Sequence, residues 1–196
     1  MKMRTMFGSL ACGAVLLAGV PACTTDGEAQ GPETKNAGAV SEDLVALVRK
    51  GVEEGQSGDI EKAKETFEQV LAVDENNVLA WYNLGYIAQS RDQIAQAIER
   101  YDQALEADPS YKPALFNKAI ALESRDKEAA IGLYRQIVDL DDEASTAYLR
   151  LGLLLVSEGD EAEARTAFEK AVRLDRALLE SVPEEHRGDV EDVLSQ

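Results

Sequence analysis

From residue 42 to residue 174 apolar side chains recur every three or four positions with polar ones between them, the spacing of one buried face on a helix. The pattern predicts eight amphipathic helices over roughly 42–55, 59–73, 78–90, 93–107, 112–124, 126–139, 144–157 and 160–174. Gly58-Asp59 and Gly159-Asp160 punctuate two of the pairs, the glycine ending one helix and the aspartate capping the next. Further on, Ser181, Pro183, Glu184 and Glu185 read as another helix start, with Val190, Val193 and Leu194 as a thin apolar stripe and Gly188 weakening its middle.

The helices repeat as pairs. Counted from Leu44, Val78, Lys112 and Ser145, position eight is Gly51, Gly85, Ala119 and Gly152, and position twenty is Ala63, Ala97, Ala130 and Ala164. Four residues on come the large plugs Phe67, Tyr101, Tyr134 and Phe168, then Val70, Ala104, Ile137 and Ala171. The third copy is one residue short, near Asp126. Small residues at two facing positions let helices approach closely, and a helix pair of this length cannot bury its apolar face alone, so the copies must stack.

Trp81, Leu84, Gly85, then Ala97, Tyr101, Ala104 and Pro109 resemble the tetratricopeptide repeat. The resemblance implies an all-α, right-handed α-α superhelical solenoid of about four helix-turn-helix repeats, 44–77, 78–111, 112–144 and 145–178. On this reading the repeat domain spans 42–178 and residues 179–196 form a short C-terminal cap. Three departures stand out: Lys50 and Lys118 occupy position seven, where Leu84 and Leu151 stand elsewhere, Glu54 replaces an apolar residue, and only the second repeat keeps its closing proline. A lysine stem can still cover apolar surface while its ammonium reaches water.

The N-terminus carries a different signal. Lys2 and Arg4 precede an apolar run from Met6 to Ala22 that ends in Val20-Pro21-Ala22-Cys23, which reads as a secretory signal over residues 1–22. The run falls short of the roughly twenty apolar residues that span a bilayer. Cys23 after the cut resembles a bacterial lipobox, which implies lipidation of that cysteine with palmitate among the acyl groups; the alternative is an ordinary signal peptide with an incidental cysteine. Cys12 would leave with the leader, so Cys23 would have no intramolecular disulfide partner. Thr24 to about Ser41 is polar and glycine-rich, which predicts that residues 23–41 are a lipidated cysteine and a disordered tether.

Charge narrows the partners. The formal net charge is −17, and becomes two units more negative once Lys2 and Arg4 are removed. Such a surface repels nucleic acid and anionic headgroups, so the expectation is a basic protein or peptide partner, a neutral apolar one or none, with the membrane met through the lipid anchor.

In tetratricopeptide proteins positions two, five, six, nine, twelve and thirteen of the inner helices face the ligand. Carried onto this chain, they give an apolar strip of Val45, Val48, Val52, Leu79, Tyr82, Tyr86, Phe116, Ile120, Leu149, Leu153 and Val156, with a polar ladder of Arg49, Asn83, Asn117 and Arg150 at position six. Contiguous apolar surface marks a contact site, and Tyr82, Tyr86 and Phe116 are expected to cluster as its anchors. Alternatively the strip packs against neighbouring repeats, or is covered by the C-terminal segment or by a second copy in a homo-oligomer. The chaperone-type carboxylate clamp is not expected, because Val48 and Val52 stand where it needs lysine and asparagine.

Catalytic candidates are few. His186 is the only histidine, no phosphate loop or metal spacing is evident, and the acidic run Asp139, Asp141, Asp142 and Glu143 lacks the order of a calcium loop. The expectation is a noncatalytic, cofactor-free adaptor, exported and lipid-anchored to a bacterial envelope membrane on its extracytoplasmic side. A self-associating structural lipoprotein and an accessory subunit of an envelope enzyme or secretion machine are the alternatives. The resemblance extends to bacterial tetratricopeptide lipoproteins, among them outer-membrane assembly factors and pilotins.

Overall fold

The computed structural model describes residues 35–194, with side chains from 42 to 192. The leader, Cys23, the first part of the tether and the side chains of Val193 and Leu194 lie outside the described residues. Within them the helices are α1 Lys35–Gln56, α2 Ile60–Val73, α3 Val78–Ser90, α4 Ile94–Ala107, α5 Lys112–Leu122, α6 Lys127–Leu140, α7 Ser145–Glu158, α8 Glu161–Leu174 and α9 Glu184–Leu194. A 3-10 turn, Arg176–Ser181, precedes α9. Consecutive helices pair as hairpins, each pair packs on the next, and α1, α3 and α5 touch in succession along the inner side. The result is an all-α solenoid. One boundary differs from the sequence expectation: α1 starts at Lys35, so the stretch up to Ser41 that was assigned to the tether is helical. Ala37 and Ala39 favour that extension.

The small-residue register is explained by the plugs. A Cβ added at Gly51, Gly85 or Gly152 would lie 2.9, 2.6 or 2.5 Å from the ring of Phe67, Tyr101 or Phe168. Helix against helix is therefore ring against backbone, and Ala63, Ala97, Ala130 and Ala164 complete the joint with no exposed surface. The departures at position seven are accommodated. The half-buried Lys118 stem carries its ammonium to Asp102, while Lys50 stays exposed 3.7 Å from Glu54. Glu54 Oε2 also accepts a 2.6 Å bond from the hydroxyl of buried Thr66.

Each repeat ends on an aspartate. Asp74, Asp108, Asp141 and Asp175 take extended backbone after α2, α4, α6 and α8, and each backbone N–H closes the last turn of its helix. Each carboxylate then accepts from the N–H two residues on: Asn76 at 3.2 Å, Ser110 at 2.9 Å, Glu143 at 3.1 Å and Ala177 at 3.0 Å. This Asx turn stops the helix in all four repeats, so only one of them needs a proline. It also gives the acidic run a structural role, since Asp141 pairs with Lys112 at 2.7 Å. That bond, and the one from Glu143 N–H, hold the Asp141 carboxyl below the usual range.

Turns inside the repeats follow a second rule. Gly58, Asp92 and Gly159 occupy the same register position and all have positive φ, at 87°, 60° and 85°. The third repeat lacks this residue, which is where its single deletion falls. Asp160 caps α8 through Glu163 N–H at 3.3 Å, whereas Asp59, expected to cap α2, binds Lys62 at 2.6 Å instead.

The C-terminal segment packs on α8. Val182 and Val190 are buried in the same core as Phe168, and the His186 ring lies 5.5 Å from the Phe168 ring. His186 is a packing element whose Nε2 sits 3.4 Å from Glu161 Oε2. Among the described residues no helix is long and apolar enough to cross a membrane.

Candidate functional site

The inner face is built by α1, α3, α5 and α7, and the structure divides the predicted strip in two. Val45, Leu79, Tyr86 and Leu153 stand open at 63, 44, 57 and 39% exposure. They occupy positions two and nine, where the side chain points away from the paired outer helix. The rest of the strip is spent on packing. Val48 and Val52 lie half-buried against the Phe67 core, Phe116 and Val156 lie against the core of the last two repeats, and Ile120 is half-buried. Leu149, assigned to the groove, is only 7% exposed and belongs to that core. Position five is one helical turn before the pivot, so its side chain turns toward the neighbouring repeat as much as toward the cavity.

Two of the three inner aromatics pack on the plugs. Tyr82 meets Tyr111 edge-on at 5.5 Å and Tyr101 tilted at 6.1 Å, while Phe116 meets Tyr134 edge-on at 5.8 Å. Each inner aromatic thus caps a plug of its own joint, and Tyr86 alone of the three projects outward. Burial, reinforced by Tyr82, pushes the Tyr111 phenol up to about 12.

The polar ladder is largely engaged within the chain. Asn83 donates to the Leu79 carbonyl of its own helix at 2.7 Å, and Asn117 donates to Tyr82 Oη at 3.3 Å. Arg150 donates to Glu123 Oε1 at 2.8 Å, an oxygen that also accepts a 2.7 Å bond from the Tyr134 hydroxyl. Arg49 is exposed. A ligand main chain would meet the remaining amide oxygens and the Arg49 guanidinium, flanked by the four open apolar side chains.

Two residues that the sequence reading passed over hold this face in shape. Gln89 and Glu123 share position twelve, and each accepts from a plug hydroxyl, Tyr101 to Gln89 at 2.6 Å and Tyr134 to Glu123 at 2.7 Å. The signal was present: where the plug is phenylalanine, in repeats one and four, position twelve is Gly55 or Val156. Hydroxyl and acceptor come together or not at all, because a buried hydroxyl without a partner is costly. Burial is the main cause that raises both phenols, with the Glu123 bond adding for Tyr134 and Tyr82 adding for Tyr101. Among the described residues no group of three His, Cys, Asp or Glu is disposed to hold a metal ion.

Known proteins resemble the chain in sequence or in fold. Protein O-mannosyl-transferase TMTC3 of Mus musculus is 36% identical over 118 residues, 58% of this chain and 13% of that protein. Its Homo sapiens counterpart is 30% identical over the same shares, so the chain spans about 13% of the length of these curated relatives. Among solved structures, MamA 41-end from Desulfovibrio magneticus RS-1 superposes with a TM-score of 0.59 at 25% identity, over 68% of this chain and 76% of that one. PilF of Pseudomonas aeruginosa gives 0.63 at 24% identity, over 81% and 78%. YrrB, described as a TPR protein with an unusual peptide-binding site, gives 0.65 at 19% identity, over 75% and 76%. The tetratricopeptide repeat model matches residues 48–112, 88–127 and 120–178, the span in which the small–aromatic register recurs, and the chain belongs to the tetratricopeptide repeat family.

Proposed function

We propose that this protein is a noncatalytic adaptor that holds an extended segment of another protein along its inner helices while an acyl group on Cys23 keeps it at a bacterial envelope membrane. The fold is that of a protein-interaction adaptor. The observation that carries the reading is the open row of Val45, Leu79, Tyr86 and Leu153 on helices of the inner side. An acidic chain gains nothing in folding from exposing them, and side chains at alternate depths with polar groups between them suit a peptide in extended form. Packing of the C-terminal segment on α8 supports the same reading. The anchor rests on Lys2, Arg4 and the Val20-Pro21-Ala22-Cys23 end of the leader. Acyl chains contribute about 0.8 kcal/mol per buried methylene, so two or three would hold a protein of this charge without help from basic residues.

Two measurements test the two halves separately. A photo-crosslinking residue in place of Tyr86 should give an adduct with a partner in intact cells, and the same residue in place of Glu99 on the outer helix α4 should not. An adduct only between copies of this chain would replace the adaptor by a self-associating lipoprotein. For the anchor, Cys23→Ser should move the protein from membrane to soluble fraction with its helical content unchanged. Retention in the membrane after correct leader removal would end the lipoprotein reading.

A further inference from the structure

The outer side carries a second feature that the adaptor reading does not use. Between the outer helices α2 and α4 a crevice of about 200 Å³ opens down to α3. Its floor is Trp81, Leu84 and Ala88, with Leu71 on one wall. Its rim is basic: Lys64 from α2, Arg91 from the turn after α3 and Arg100 from α4, against the single carboxylate of Glu68. With Glu61 counted, which pairs with Arg91, the rim holds three cations against two carboxylates, a local positive excess in a chain of net charge −17. Two of the cations have carboxylate partners, Lys64 with Glu68 at 3.3 Å and Arg91 with Glu61 at 2.6 Å. The Arg100 guanidinium lies 5.2 Å from the centre of the Trp81 ring and pairs with no carboxylate among the described residues.

The other joints show why the crevice is here. At the register position of Arg100 the remaining repeats place Thr66, Leu133 and Ala167. Ala167 is buried and Leu133 packs against the core, so each closes the joint with the repeat before it, while Thr66 of the first repeat is buried against Glu54 of its own pair. A guanidinium cannot be buried in that way, so it lies across the indole and leaves the joint between repeats one and two unfilled.

We propose that this crevice is a second docking site, for an acidic peptide segment that seats one large aliphatic side chain on Trp81 and sets its flanking carboxylates against Arg100, Arg91 and Lys64. The volume suits one or two side chains and is below that of ordinary small-molecule pockets or of an acyl chain's bed. The rim selects the charge, since planar guanidinium groups beside an apolar floor pair with carboxylates in bidentate fashion. The site is separate from the inner face, so an adaptor could hold two segments at once.

Trp81 is the only tryptophan in the chain, which makes its emission a direct reporter of the crevice. The full-length protein is titrated with an acetylated, amidated peptide containing a central leucine between aspartates and glutamates. The comparison probes are the same peptide with asparagine and glutamine replacing the acids, and vesicles of phosphatidylglycerol and phosphatidylcholine. A saturable change in Trp81 emission is expected with the acidic peptide. Affinity should fall at least about tenfold for Arg100→Glu and for the amide peptide, and stay unchanged in Tyr86→Ala. Arg100→Gln, with the same thermal midpoint as the parent, serves as the milder variant and should lie between. The proposal is overturned by no saturable change, by an equal response to the amide peptide, or by a response to vesicles without one to peptide. It is also overturned if Tyr86→Ala abolishes binding and Arg100→Glu does not, which would move the acidic peptide to the inner face and leave the adaptor reading standing.

Discussion

From α5 to α9 the buried side chains form one continuous core that runs through Leu115, Tyr134, Leu154 and Phe168 to Val190. Between α1 and the start of α5 they fall into two smaller groups, one around Phe67 and one around Tyr101. Both halves obey the same register of small residue, plug and Asx turn. What differs is the filling between successive outer helices: Leu133 joins the core in the C-terminal half, and Arg100 stays outside it in the N-terminal half. In a stacked array stability is close to a sum of repeat terms and neighbour terms, so an open joint lowers the second without touching the first. Position eight and position twenty-four make a repeat fold, and position twenty-three is expected to tune how firmly it is tied to the one before. The half whose core is divided is also the half with the most exposed inner-face side chains, Val45 and Tyr86, and the outer crevice. The two proposed docking surfaces fall in the half with the divided core, since both features need side chains withheld from the core.

The largest effect that would break this contrast is expected at the C-terminal end. Val190→Asp places a carboxylate in a fully buried position of the core that holds Phe168, and should cost about 3 kcal/mol or more in urea unfolding. Native-state hydrogen exchange should show the loss spread over α5 to α9, with α2 and α3 little changed. The same substitution at Val45, 63% exposed, should stay within about 0.5 kcal/mol. A neutral Val190→Asp would mean that the C-terminal segment is not part of the core.

A smaller contrast lies in the two tyrosine plugs. The Tyr134 hydroxyl reaches a carboxylate that Arg150 of the next repeat also holds, whereas Tyr101 reaches the neutral amide of Gln89 within its own repeat. Tyr134→Phe should therefore cost about 1.5 kcal/mol and loosen the joint between repeats three and four, against about 1 kcal/mol for Tyr101→Phe. Both phenols are raised by burial, so the fold favours their neutral form. That contribution is complete below the ordinary tyrosine value of about 10 and is lost as pH rises beyond it. Either phenylalanine variant should lose stability less steeply above that pH, measured by urea midpoints with tyrosinate absorbance followed in parallel. Equal slopes in parent and variants would refute it.

Sequence alone was enough for the repeat because its rule is written in residues a fixed distance apart: Gly85 with Ala97 and Tyr101, and the same triplet in the other copies. The inner face was only half legible. Register puts Leu149 and Leu153 on one side of a helix, but their depth depends on how far α7 rolls against α5 and α6, which spacing does not encode. Asn83, Asn117 and Arg150 were found as a ladder, while their internal partners Leu79, Tyr82 and Glu123 come from contacts within and between helices. The crevice was illegible for the opposite reason. Arg100 on an outer helix looks like an ordinary solvated charge, and only the packed neighbours Leu133 and Ala167 show that the position is usually filled.

The smallest expected effect sharpens the contrast at a single turn in the N-terminal half. Asp92 sits at φ 60°, the left-handed conformation that Gly58 and Gly159 adopt at the same register position. For a residue with a Cβ this conformation is unfavourable, less so for aspartate than for most, and nothing in the turn requires its carboxylate to hold α4, whose cap residue is Gln93. Asp92→Gly should remove the strain while adding unfolded-chain entropy, for a net gain of about 0.5 kcal/mol, with Asp92→Ala losing a similar amount. The gain should appear in the exchange of α3 and α4 amides and leave α1 and α2 little changed, because the open joint between repeats one and two passes little of it back. A stabilisation shared equally by α1 and α2 would show that repeats one and two unfold as one unit, and would erase the division between the group around Phe67 and the group around Tyr101.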